Sequence, residues 1–267
     1  MIRTQLFFLA AAIITTAITS SGCIAQSGSA TRQAVPTRTN DMSFKLPADA
    51  KAGLLDPKQA KFEAPKQFFA EFQTTKGNFV MEINRDWAPN GVDRFYSMIK
   101  VGFFNKTAIF RARKGFMFQF GIHGVPEVAK AWSKSKIKDD AYAGKSNVEG
   151  TIAFAQTTDP NSRSSQMFIN LGDNGQSLDR GKNGKAGFYP FGQIIKGKDV
   201  IKKINTEYGE NDRSVQPGFI YGGNAYIQER FPNLDYIKQV KIVQDPRVAG
   251  SMNTPTAAPV ESGSGSR

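Results

Sequence analysis

At 267 residues the chain can hold one large domain or two small ones. Its 35 Lys and Arg outnumber 23 Asp and Glu for a net charge of +12, a surface that attracts anions such as nucleic acid, anionic lipid, cell-wall polymer or acidic unfolded chains. One cysteine, Cys23, and one histidine, His123, exclude an internal disulfide, a cysteine-based metal site and a zinc site needing two imidazoles, and they argue against a Ser-His-Asp triad.

Residues 1–22 read as a signal peptide. Arg3 supplies the charge, residues 6–18 are apolar but short for a membrane span, and small residues follow. Ser20-Ser21-Gly22-Cys23 resembles a bacterial lipoprotein box, which implies cleavage before Cys23, a lipid on that residue and anchoring to a membrane. Ser20 stands where that box usually has an aliphatic residue, and an ordinary cleaved signal with an incidental cysteine is the alternative. Either way an exported protein of the periplasm or cell envelope is expected.

Residues 23–66, rich in Ser, Thr, Ala, Pro, Gln and Lys, read as a flexible tether with room for a short ordered piece at 44–55. Residues 67–74 alternate as a strand around Phe69 and Phe72. Lys76-Gly77-Asn78 turns the chain, and Phe79, Met81 and Ile83 line one face of a second strand. Pro89 takes a first helical position, Val92, Phe95, Tyr96 and Ile99 follow at helical spacing, and Gly102 closes the segment. Strands are expected at 108–112, 116–120, 151–155, 167–170 and 191–195, then a short helix at 199–205 and a last strand at 237–243. Two long segments, 122–147 with Trp132 and 206–235 with Gly222-Gly223-Asn224-Ala225-Tyr226, read as decorations wrapping this domain; 173–187 reads as a flexible connection. His123 could sit at the mouth of a site, though a surface-loop histidine is the plainer reading. One domain, 67–248, thus precedes a disordered tail, 249–267. Many short strands with two evident helices point to a β-barrel or sandwich.

The chemistry concentrates in two stretches. Residues 109–121 place Arg111 and Gln119 among Phe110, Phe116, Met117 and Phe118, with no acidic residue between Ile109 and Gly121 to pair the guanidinium. Residues 164–170 place Gln166 beside Met167 and Phe168. On a strand Gln166 and Phe168 share a face and Met167 takes the other. A greasy floor with one Arg and amides at its rim suits a small apolar ring attached to a carbonyl, as proline is in a peptide. Taken alone, the same aromatics read more simply as barrel core.

Arg-x-x-x-Gly-Phe-Met-x-Gln (Arg111 to Gln119), Gly-x-Ile-x-Phe-Ala (Gly150 to Ala155) and Ser-Gln-x-Phe-Ile (Ser165 to Ile169) fall in an order that resembles the cyclophilin-type peptidyl-prolyl isomerases. Leu178-Asp179, Phe191-Gly192 and Gly197-x-Asp-Val extend the resemblance over roughly 68–244. It implies a mainly β fold, a closed eight-stranded antiparallel β-barrel capped by two α-helices. It implies a peptidyl-prolyl cis-trans isomerase, with Arg111 and Gln119 catalytic and Phe116, Met117, Ala155, Gln156, Thr157, Gln166, Phe168, Leu178 and Phe188 binding substrate. Three departures accompany it. Phe188 stands where eukaryotic members have histidine, Ser177 stands where drug-sensitive members have tryptophan, and 157–161 is one residue longer than usual. No cofactor or metal is expected. The expected partners are proline-containing polypeptide clients, with no specific nucleic acid because no Lys/Arg run exceeds two; a monomer is expected. A binding module or envelope chaperone that holds proline segments without turnover is the alternative.

Overall fold

The computed structural model describes residues 52–179, 187–209 and 215–248. The expected signal peptide, Cys23 and the tail 249–267 lie outside them. The described chain begins inside the expected tether, with a helical turn, α1 (Ala52–Leu55). Leu54, Ala60 and Ala64 are buried. The Phe62 amide donates to Ser97 Oγ at 3.0 Å and the Ala64 amide to Asp93 Oδ1 at 2.9 Å. Apolar burial and satisfied amides thus seat residues 52–64 on the domain.

β1 (Gln67–Thr74) and β2 (Gly77–Asn84) form a hairpin in which Thr74 faces Gly77. Phe68, Ala70 and Phe72 point inward from β1, and Phe79, Met81 and Ile83 from β2, the alternation that a half-buried strand requires. α2 (Pro89–Lys100) follows, with Pro at its start and Val92, Phe95, Met98 and Ile99 buried. It has no cap of its own. Asp140 serves instead, accepting the Asn90 amide at 2.7 Å and the Gly91 amide at 3.0 Å.

The remaining strands are β3 (Thr107–Ala108), β4 (Arg111–Arg113), β5 (Met117–Phe120), β6 (Thr151–Phe154), β7 (Met167–Asn170), β8 (Pro190–Lys196) and β9 (Tyr236–Val243). They make one antiparallel sheet, curled into a half-barrel, in the order β3-β9-β1-β2-β8-β6-β7-β5-β4. This corrects the expected closed eight-stranded barrel: among the described residues nine strands form an open order. The extra strand has a local cause. The expected strand 108–112 changes partner midway, because the Ile109 amide donates to Asp235 O at 2.8 Å and the Phe110 amide to Gln119 O at 3.1 Å. One run of chain therefore supplies both ends of the order. The core inside the curl is aromatic, with Phe72, Phe79, Phe95, Phe104, Phe120 and Phe191 fully buried.

The two-helix expectation is also corrected. The helix expected at 199–205 is one turn, α5 (Lys198–Ile201), and a turn, α4 (Gly175–Leu178), stands within the expected flexible connection. The two long insertions carry α3 (Pro126–Lys134) and α6 (Gln216–Arg230). They are packed rather than draped. Trp132 is fully buried and its Nε1 donates to Leu54 O at 2.8 Å. Gly223 kinks α6 with φ 60°, and a Cβ there would fall 2.3 Å from Gly124 O, so only glycine fits.

Candidate active site

Strand register assembles the site. Arg111 on β4 lies opposite Gln119 on β5, Gln119 opposite Phe168 on β7, and Phe168 opposite Ala153 on β6. Residues opposite one another on neighbouring strands share a face, so one row crosses four strands. Met117, two residues from Gln119, joins the same face. Ala112, Phe118, Phe120 and Met167 alternate to the core. Hence Phe118 is core, and Phe110 belongs to a second apolar cluster with Phe219.

Met117, Ala153 and Phe168 are buried together, and Phe116, Ala155, Leu178 and Phe188 pack around them. Phe168 and Phe188 meet edge to face, centroids 5.5 Å apart. Every apolar residue expected to bind substrate is therefore in one cluster. Arg111, half-buried at its rim, donates from Nη1 to Gln119 Oε1 at 3.1 Å, and Gln119 Nε2 donates to Gln166 Oε1 at 2.8 Å. Gln119 is only 6% exposed, so its amide is held on both sides away from bulk water.

The segment 155–157 extends the wall. The Ala155 amide donates to Gln166 O at 2.9 Å, continuing the ladder past β6, and Gln156 Nε2 donates to Gly187 O at 3.1 Å. Thr157 is exposed, its amide held by Ser162 Oγ at 2.9 Å, and stands outside the apolar cluster. The longer loop beyond it is pinned at Asn161. With φ 54°, Asn161 exchanges bonds with Asp139: its amide donates to Asp139 Oδ2 at 2.7 Å and its Oδ1 accepts the Asp139 amide at 2.8 Å.

Three buried asparagines that sequence reasoning missed hold the walls. Asn170, fully buried, donates from Nδ2 to Asn147 Oδ1 at 3.1 Å and to Thr151 Oγ1 at 2.9 Å, and accepts from Asn174 Nδ2 at 2.8 Å. Asn174 Nδ2 also donates to Phe116 O at 2.7 Å. Asn147 Nδ2 donates to Phe188 O at 2.7 Å and to Asp179 Oδ1 at 2.8 Å. The cluster's rim is thus tied to a buried amide network. Its signal was the run of Asn and Asp in 170–179, which reads equally as turn chemistry.

His123 is neither at the mouth of the site nor in a surface loop. It is fully buried beside Phe103, Nδ1 accepting the Val125 amide at 3.0 Å, and burial pushes its pKa down to about 4. A neutral imidazole in the core has no part in the site's charge.

A cationic donor beside an apolar cluster, steadied by a neutral amide, can bind a small ring and donate to an atom that gains electron density. The family model described as cyclophilin type peptidyl-prolyl cis-trans isomerase/CLD matches residues 69–222. A peptidyl-prolyl cis-trans isomerase of Acinetobacter baylyi is 37% identical over 134 residues, 50% of this chain and 70% of the relative. Peptidyl-prolyl cis-trans isomerase B of Escherichia coli is 35% identical over 139 residues, covering 50% and 81%. A solved cyclophilin type isomerase of Cryptosporidium parvum superposes with a TM-score of 0.47 at 18% identity, covering 67% of this chain and 99% of the other. The chain belongs to the cyclophilin-type peptidyl-prolyl cis-trans isomerase family.

Proposed function

We propose that this isomerase rotates X–Pro bonds of exported polypeptides and that Arg111 is its catalytic donor. The observation that carries the reading is the cross-strand row in which Arg111 and Gln119 border Phe168 and Met117. The X–Pro barrier of roughly 18–20 kcal/mol comes from conjugation of the nitrogen lone pair with the carbonyl. Rotation breaks that conjugation, and the nitrogen pyramidalises and becomes basic. Met117, Phe116, Phe168, Leu178 and Phe188 receive the prolyl ring and exclude water. Arg111 donates a hydrogen bond to the nitrogen where charge appears, so the interaction is stronger in the transition state than in either ground state. Arg111 keeps its proton throughout, and no covalent bond forms or breaks. Gln119 fixes the guanidinium, and Gln166 with residues 155–157 holds the flanking backbone.

Replacing Arg111 with Ala in the full chain should lower turnover about 10²-fold or more, as expected for removing a preorganised transition-state donor, while the thermal midpoint barely moves. Unchanged turnover would refute the assignment and favour the binding-module reading, since apolar packing alone can hold proline. The exported setting rests on residues 1–23, where Cys23 would carry a lipid. A mass measurement on the mature protein tests it: an N-terminus at Cys23 with an acyl increment supports a lipoprotein, and an uncleaved, unmodified chain overturns both export and anchor.

A further inference from the structure

The hydrogen-bonded chain that begins at Arg111 does not stop at Gln166. Gln166 Nε2 lies 3.5 Å from Oε1 of Gln216, the first residue of α6. Gln216 comes from the insertion between α5 and β9, far along the sequence from every residue discussed above as part of the site.

Its position is set by buried packing. Phe110, which directly precedes Arg111, turns to the opposite face and meets Phe219 of α6 with ring centroids 5.6 Å apart. Phe219 is fully buried. Further along α6 the Asn224 amide donates to Gly124 O at 2.8 Å and Asn224 Nδ2 donates to Lys106 O at 2.9 Å. Gln216 precedes Phe219 by three residues, so the two lie on the same side of the helix. The same insertion covers the outer edge of β4, where the Ala112 amide donates to Gly209 O at 3.3 Å. The strand that carries Arg111 is thus flanked by β5 on one side and by the insertion on the other.

The polarity of the chain is fixed from its cationic end. A guanidinium only donates, so Gln119 must present its oxygen to Arg111 and its NH2 to Gln166. Gln166 must then present its oxygen to Gln119 and turn its NH2 towards α6, where only an acceptor can receive it. Gln216 Oε1 is that acceptor. Without one, the Gln166 amide is free to rotate, and Gln119 loses a fixed partner on the side away from Arg111.

We propose that Gln216 is a positioning residue of the isomerase site, which fixes the amide of Gln166 and, through Gln119, the guanidinium of Arg111. The inference rests on the reading of Arg111 as donor. It makes the second insertion part of the catalytic apparatus, and it assigns Gln216 the role of an acceptor specifically.

The test compares Gln216→Ala, Gln216→Glu and Gln216→Lys in the full chain, with kcat and KM measured on a proline tetrapeptide. Gln216→Ala should lower kcat about three- to fivefold, the factor that corresponds to one neutral hydrogen bond, with KM nearly unchanged. Gln216→Glu keeps the acceptor and should stay close to the parent. Gln216→Lys offers only donors, sets NH3+ against NH2, and should fall at least as far as Ala. A role in folding alone would not separate Glu from Lys when thermal midpoints match. Parental kcat in both the Ala and Lys variants, or equal losses for Glu and Lys, overturns the inference. If the parent chain has no turnover that depends on Arg111, the reading of the site fails instead. The side-chain amide resonances of Gln119 and Gln166 then decide this point: they should shift in Gln216→Ala, and unmoved resonances overturn it.

Discussion

Lowering the pH from 7 to 4 should weaken the fold through one buried side chain, His123. Its ring packs 5.4 Å from that of Phe103 with no exposed surface, and its Nδ1 is occupied by the Val125 amide. Burial holds the folded pKa at about 4, below the ordinary 6.5. The unfolded chain therefore takes up the proton first. The stability that neutral His123 contributes is complete above pH 6.5 and is lost as the pH falls towards 4. The loss is about 3 kcal/mol, the free energy equivalent of the displaced pKa. Carboxylates also titrate in this range, so the measurement must be a difference. His123→Asn keeps an acceptor for the Val125 amide and does not titrate. Urea unfolding of both chains at pH 7, 6, 5 and 4 should show the variant less stable at pH 7, because a smaller side chain leaves a cavity. The gap should then close by about 3 kcal/mol at pH 4. A gap that stays constant with pH would show that His123 is not held neutral by burial.

Asp140→Ala removes the more buried of the two carboxylates paired with Arg163, at 2.8 Å with the two side chains 0% and 6% exposed, and leaves Asp139 at 3.3 Å; it also removes the cap of α2. Breaking a buried pair on one side costs about 3–5 kcal/mol, so the thermal midpoint should drop by roughly 10 °C, read by circular dichroism; a drop of a degree or two would count against the pairing. Asn147→Ala leaves the Phe188 carbonyl and the Asn170 amide short of a partner, and should cost about 2–4 kcal/mol. It should also raise KM more than it lowers kcat, since Phe188 and Leu178 belong to the apolar cluster proposed to receive the prolyl ring. Arg111→Lys should recover little of the Arg111→Ala loss in the same peptide assay, because a hydrated ammonium lacks the planar fork that reaches Gln119 and a substrate together.

Alternation of period two made most of the sheet legible: β1 spans 67–74 and β7 spans 167–170, as the pattern predicts, and β2 shows the expected inward face. What escaped has identifiable causes. The change of partner at Ile109 and Phe110 involves no Gly or Pro, so nothing local marks the break between β3 and β4. α3 did leave a signal, with Pro126 and Glu127 at its start and Val128, Ala129 and Trp132 buried, but its lysines favoured a basic loop. α6 left almost none. Pro217, Gly218, Gly222 and Gly223 read as loop chemistry, and the helix exists because Phe219 and Asn224 are held by other parts of the chain.

The site was legible only where chemistry and period coincide. Within 116–120 every residue but Gln119 is apolar, so composition cannot separate wall from core. Alternation divides them: Met117 and Gln119 face one way, Phe118 and Phe120 the other. Which face is the core follows from the partner strand, since Gln119 sits opposite both Arg111 and Phe168, and a guanidinium must stay near water. Sequence therefore reaches as far as residues on paired strands can inform one another. Asn170 and Asn174 are close in the chain yet meet partners at Thr151 and Phe116, and Gln216 depends on where a remote helix docks. Such residues have no periodicity to reveal them. They tie Arg111 and the apolar cluster beside it to the rest of the fold, so the contacts that surround this candidate site are the ones least visible along the chain.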